Sequence, residues 1–182
     1  MIIINNEEVL RRPCQLIELT EANDLIVQLE NELAYANRLG KQGIGLAGLQ
    51  VGLDKQVAII RLPNVKLNLV NAVIKNGYDQ VLFREEACLS FPGRVENTMR
   101  YQEVHVVNNL VEPHAFIATG LLAVCVQHEI GHYTSDLFFD HKAQQLNPVI
   151  KKNKAKPNDP CPCGKIDPIT HKILKYKRCC GR

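Results

Sequence analysis

Several absences narrow what this chain can be. No apolar run approaches the roughly 20 residues needed to cross a bilayer, so neither a membrane span nor a membrane partner is expected. The opening Met1-Ile2-Ile3-Ile4-Asn5-Asn6-Glu7 has no basic region, no long apolar stretch and no small-residue cleavage site, which points to a cytoplasmic protein. No internal repeat is visible. The glycine-rich stretch Gly43–Gly52 lacks the lysine that a phosphate-binding loop requires. The seven cysteines are an odd number in a chain without an export signal, and four of them crowd the last 22 residues, which favours metal over disulfides.

With 182 residues and 46% hydrophobic content, the chain can bury one principal core and carry a small appendage. Its net charge of +3 conceals a division: residues 1–150 hold 12 Lys+Arg against 17 Asp+Glu, whereas residues 151–182 hold 10 against 2. An acidic body therefore carries a basic tail of charge +8, the kind of segment that phosphate attracts.

Leu25, Ile26, Leu29, Leu33 and Ala36 recur at three- and four-residue intervals and predict an amphipathic helix from Thr20 as N-cap to Gly40 as C-cap. Residues 56–61, 67–71 and 103–107 are short, β-branched and bounded by turn residues, so strands are expected there. From Ala115 to Tyr133 no proline occurs and apolar residues surround the chain, which predicts one buried helix.

The far end of that segment, Gln127-His128-Glu129-Ile130-Gly131-His132, carries an H-E-x-x-H pattern. Histidines four apart on a helix differ in direction by only about 40°, so both imidazoles can reach one ion while Glu129 stands at its flank. A catalytic divalent ion normally has a third protein ligand. Position 138 is Phe138 rather than histidine, and no glutamate follows Glu129, which removes two usual zinc peptidase completions. Asp136, Asp140 and His141 downstream remain candidates. Upstream, the lone Cys88 between Glu85-Glu86 and the Pro92-Gly93 turn is a better one.

Three segments in order, Gly43-Ile44-Gly45-Leu46-Ala47-Gly48-Leu49-Gln50, Glu86-Ala87-Cys88-Leu89-Ser90 and the H-E-x-x-H run, resemble the peptide deformylase family with its G-x-G-L-A-x-x-Q, E-x-C-L-S and Q-H-E-x-x-H motifs. The likeness covers about residues 5–142 and includes Gly120–Cys125 and Leu137–Asp140. It implies an α+β fold of antiparallel strands around a central helix carrying H-E-x-x-H, within a catalytic domain spanning 1–148. It implies Cys88, His128 and His132 as ligands of Fe2+, with Zn2+, Ni2+ and Co2+ as substitutes. Glu129 becomes the acid/base that serves a water nucleophile, and the Gln50 amide and Leu89 N–H become donors to the oxyanion. The substrate would be the formyl-Met end of a nascent polypeptide. Its backbone would meet Ile44, Gly45 and Ala87, and its methionine Leu121, Val124 and Cys125. Departures from the family pattern are Gly48-Leu49, Ala87 and Gly131, the last standing where a carboxylate usually braces the metal helix, and a short connection before Cys88.

A basic linker is expected at 149–157. Beyond it, the Cys161, Cys163 pair and the Cys179, Cys180 pair resemble the halves of a SEC-C zinc motif, implying a tail at 158–182 that Zn2+ folds and that docks to the ribosome or another translation or secretion partner. Two rival functions are a deformylase-like protein that binds peptide or ribosome with little turnover, and a zinc peptidase of other substrate. The intact Glu129 argues against the first, and Cys88 against the second.

Overall fold

Residues 1–143 and the single residues Asn158, Lys175 and Lys177 are described by the structure, a computed structural model. The chain divides into two units, Met1–Ala143 and Gln144–Arg182. The expected linker at 149–157 and the thiolates of Cys161, Cys163, Cys179 and Cys180 lie outside the described residues.

In the first unit, β1 (Gly45–Ala47), β2 (Val57–Leu62) and β3 (Val65–Val70) form one antiparallel sheet, and β4 (Ala72–Ala87), β5 (Val95–Asn108) and β6 (Ala115–Thr119) form another. Successive residues of a strand face opposite ways. Ala58 and Ile60 of β2 accordingly join Ala123 and Val126 in one apolar cluster, while Val57 and Ile59 join Leu29 and Leu33 in another. Covering on both faces explains why β2 reads as the unbroken apolar run Val57-Ala58-Ile59-Ile60.

The amphipathic helix is α2 (Leu19–Arg38), after the four-residue α1 (Glu7–Leu10). It buries Ile26, Leu29, Leu33 and Ala36 of the predicted stripe and Ala22 with them, while Leu25 is only half-buried. Its N-cap is Glu18 rather than Thr20, because the Glu21 carboxylate accepts the Glu18 N–H at 3.2 Å and starts the helix earlier.

Residues 115–133 do not form one helix. Ala115–Thr119 is β6, and α3 spans Gly120–Gly131. Phe116 and Ala118 pack inward opposite Val106 and Val104 while Ile117 and Thr119 stay exposed, an alternation that pairing with β5 completes. The apolar character of α3 on all sides follows from its place, since it packs against β1 and β2 of one sheet and β4, β5 and β6 of the other. Gln127 latches it to β5, accepting the Tyr101 N–H and donating to the Tyr101 carbonyl, both at 2.9 Å. The 16-residue β4 runs from just after β3 directly to Cys88. Its residues are mostly exposed, so no apolar period announces it; antiparallel pairing with β5 holds it extended.

Candidate active site

The end of β4 and the end of α3 meet at three side chains. Cys88 follows β4, His128 lies in the last turn of α3 and His132 caps it. One ligand atom from each falls within 4.8 Å of the others, and Cys88 Sγ stands 3.7 Å from His132 Nε2. The downstream alternatives are engaged elsewhere: Asp136 pairs with His141, and Asp140 accepts both terminal nitrogens of Arg11 at 2.8 and 2.9 Å. Cys88 is buried and free of any disulfide.

Four residues to which the sequence assigned no role in the site hold this set in place: Glu86, Arg100, Thr98 and Phe138. Glu86 Oε1 lies 2.7 Å from His128 Nδ1, which leaves His128 Nε2 for an ion. The same carboxylate accepts Arg100 Nη2 at 2.7 Å and Nε at 2.9 Å, and Thr98 Oγ1 donates to its other oxygen. Phe138 stacks on His128 with ring centroids 5.9 Å apart. The Glu85-Glu86 pair before the cysteine was visible in the sequence, but nothing local said which of the two turns inward.

Gln50 is oriented from both ends of its amide. Oε1 accepts the Ala47 N–H at 2.8 Å, so Nε2 faces Cys88 Sγ at 3.3 Å and Ser90 Oγ at 3.1 Å. Glu129 is buried, and among the described residues its Oε2 has no hydrogen-bond partner; nor has His132 Nδ1. Gly45 passes so near that carboxylate that a Cβ there would fall on Oε1 and lie 2.9 Å from Cδ. The backbone and the acid occupy one space only because residue 45 has no side chain.

Burial pushes the Glu129 carboxyl up to about 7, with the Glu86 charge adding to it and His128 working against it. Burial would raise Glu86 too, but the hydrogen bonds from His128 and Arg100 hold it at about 2. Burial opposes charge on His128, yet the Cys88 sulfur and Glu86 outweigh it and hold that imidazole well above its ordinary value. His132 goes the other way, to about 3, through burial and the neighbouring His128. Burial and the Glu129 charge push the Cys125 thiol up to about 12, so it stays a neutral wall.

A cleft of about 510 Å³ opens onto His128 and Glu129, and Ile44, Gly45, Ala87, Leu89, Leu121, Val124 and Cys125 all line it. Val124 and Cys125 are buried, and Leu121 is 49% exposed. The Ile44 carbonyl accepts the Arg61 N–H at 2.7 Å, so the next residue, Gly45, turns its backbone polar groups away from β2. At Gly131 the chain folds back: Asp136 N–H donates to the Gly131 carbonyl at 3.0 Å, and its Oδ2 lies 3.6 Å from where a Cβ at 131 would stand. A carboxylate thus stands beside the helix end, supplied from five residues further on.

A thiolate and two imidazoles suit a borderline divalent ion, and the carboxylate held to His128 Nδ1 suits a ligand aimed through Nε2. Fold and site together define an α+β metallohydrolase. The chain belongs to the peptide deformylase family and is an enzyme of that activity: the family described as polypeptide deformylase matches residues 1–154. A peptide deformylase of Pseudomonas syringae is 36% identical over 139 residues, covering 74% of this chain and 82% of its own length. A peptide deformylase of Aquifex aeolicus is 32% identical over 149 residues, covering 76% and 85%. A Synechococcus elongatus peptide deformylase, solved with actinonin, is 32% identical with a TM-score of 0.69 over 80% of each chain. One from a Vibrio parahaemolyticus bacteriophage, also solved with actinonin, is 31% identical with a TM-score of 0.65 over 75% of this chain and 98% of its own.

Proposed function

We propose that this enzyme removes the N-formyl group from the formylmethionine of nascent polypeptides, with Cys88, His128 and His132 holding Fe2+ or a similar divalent ion. When bound, the ion supplies Lewis acidity, polarising the formyl carbonyl and making water a stronger acid. Glu129 takes the proton that the water gives up as it attacks the formyl carbon. Charge then grows on the formyl oxygen, where the Gln50 N–H now directed at Cys88 and the Leu89 N–H donate to it. Glu129 returns its proton to the leaving amine as the C–N bond breaks, and formate and the free peptide amine depart. The peptide lies as an added strand along Gly45 and Ala87, between the outer edges of β1 and β4. Its methionine enters between Leu121, Val124 and Cys125.

The observation that carries this reading is the buried Glu129 carboxylate, with one oxygen free of partners among the described residues, beside the Cys88, His128 and His132 cluster. A protein that only bound peptide would gain nothing from it and would bear its desolvation. The test is Glu129→Gln assayed anaerobically on a formyl-Met peptide. Metal content should persist while kcat falls by a factor on the order of 10²–10⁴. Activity close to that of the parent enzyme would remove the acid/base role.

The second unit carries a separate part of the reading. Cys161, Cys163, Cys179 and Cys180 hold structural Zn2+, and the +8 charge of residues 151–182 docks the enzyme to the ribosome. The support is their composition and spacing.

A further inference from the structure

β4 and β5 run one to one from Gln80↔Tyr101 to Phe83↔Thr98, then resume at Glu86↔Glu96. Arg84 and Glu85 therefore stand opposite the single residue Asn97, a β-bulge. Glu85 takes φ +58, and its N–H donates to Asn97 Oδ1 at 3.1 Å. Directly paired residues share a face, and Thr98 and Glu96, two apart, share one as well. Phe83 and Glu86 thus point to the same side although three residues separate them. In an unbroken strand Glu85 would stand beside Phe83 and Glu86 would turn away, because one residue of slip exchanges the faces. The shared side is that of the active site, where Glu86 reaches His128 and Phe83 forms part of the cleft wall with Leu121, Val124 and Cys125.

We propose that Phe83 is a specificity-determining residue: its ring closes the far end of the apolar pocket for the substrate's first side chain and sets the largest group that fits. The proposal rests on the deformylase reading above. Three residues of strand place Phe83 at most roughly 10 Å along β4 from Glu86, in the same cleft and further from Cys88 along the strand. Phe83 is only half-buried, and Leu121 of the same cleft is 49% exposed, so both keep apolar surface that an incoming side chain would cover. An aromatic wall also suits a thioether, whose sulfur packs favourably against ring edges.

The test compares the enzyme with Phe83→Leu and Phe83→Ala on formyl-Met and formyl-Phe peptides that are otherwise identical. It also measures inhibition by the matching deformylated peptides, which reads pocket binding without turnover. Removing the ring should raise the formyl-Phe to formyl-Met ratio of kcat/KM by about tenfold or more in Phe83→Ala and by less in Phe83→Leu, with inhibition constants moving in parallel. Thermal unfolding identifies any variant that fails to fold, and Phe83→Leu then carries the comparison. If the parent enzyme hydrolyses formyl-Met and both ratios stay within about threefold in the variants, or the preference moves at the second residue instead, this inference falls while the deformylase reading stands. If the parent enzyme leaves formyl-Met untouched, the deformylase reading itself falls.

Discussion

Gly45 and Glu129 show how one residue's lack of a side chain serves another residue's chemistry. Any Cβ at 45 collides with the Glu129 carboxyl, and β1 cannot retreat because β2 holds it. Gly45→Ala should therefore keep the fold and displace the acid, lowering kcat on a formyl-Met peptide by about 10² or more, as for other lost proton-transfer groups. A change in KM alone would mean that Gly45 serves only the peptide backbone. Glu86 is tested differently because it is buried and doubly paired. Glu86→Gln leaves the Arg100 charge uncompensated, which should cost on the order of 3–5 kcal/mol in urea unfolding. The same variant should bind metal about 10–100-fold more weakly in competition with a chelator, since His128 loses the group that aims its ring. Unchanged metal affinity would make Glu86 a partner of Arg100 alone.

At the scale of elements, the two ends of the Met1–Ala143 unit are clasped where α1 meets the segment after α3. Arg11 on the C-terminal side of α1 donates to both oxygens of Asp140 and to the Ser135 carbonyl, and Asp140 also accepts the Leu137 N–H. The hydrogen bond from Arg11, chiefly, holds the Asp140 carboxyl below its ordinary 3.8. A carboxyl lowered in the folded state stabilises fully above its unfolded pKa and loses that contribution as pH falls through the folded value. Asp140→Asn should thus lower the melting temperature at pH 7, and the gap from the parent protein should close as pH drops below the carboxylate range. A gap as wide at low pH as at neutral pH would attribute the effect to packing rather than charge.

The whole molecule joins an acidic body that contains every proposed catalytic residue to a basic, cysteine-rich tail. Truncation before Asn158 should leave hydrolysis of a short formyl-Met peptide nearly intact and weaken co-sedimentation with ribosomes. Ribosome binding by the full chain should fall steeply as salt rises, because phosphate contacts release counterions, and chelation of zinc should act like truncation. Equal sedimentation of the two chains across the salt series would remove the docking role.

Cys88, His128, Glu129, His132 and Gln50 were legible in the sequence because their chemistry is tied to short motifs: a helix turn fixes the two histidines, and a three-residue turn carries Gln50 back to the Ala47 N–H. The stripe of α2 and the strands β2 and β3 were legible for a similar reason, since local periodicity mirrors which faces are covered. β6 was read as helix because an apolar stretch leading into a helix has no period of its own until β5 pairs with it. The choice of Glu86 over Glu85 as the group under His128 depended on a bulge, and a bulge is a relation between two strands, here Arg84 and Glu85 against Asn97, that neither strand's residues display alone. Sequence by itself determined which reactive groups the chain owns and their order along it. Only the tertiary structure decided which of their neighbours face them, because facing is set by register and packing across the sheets.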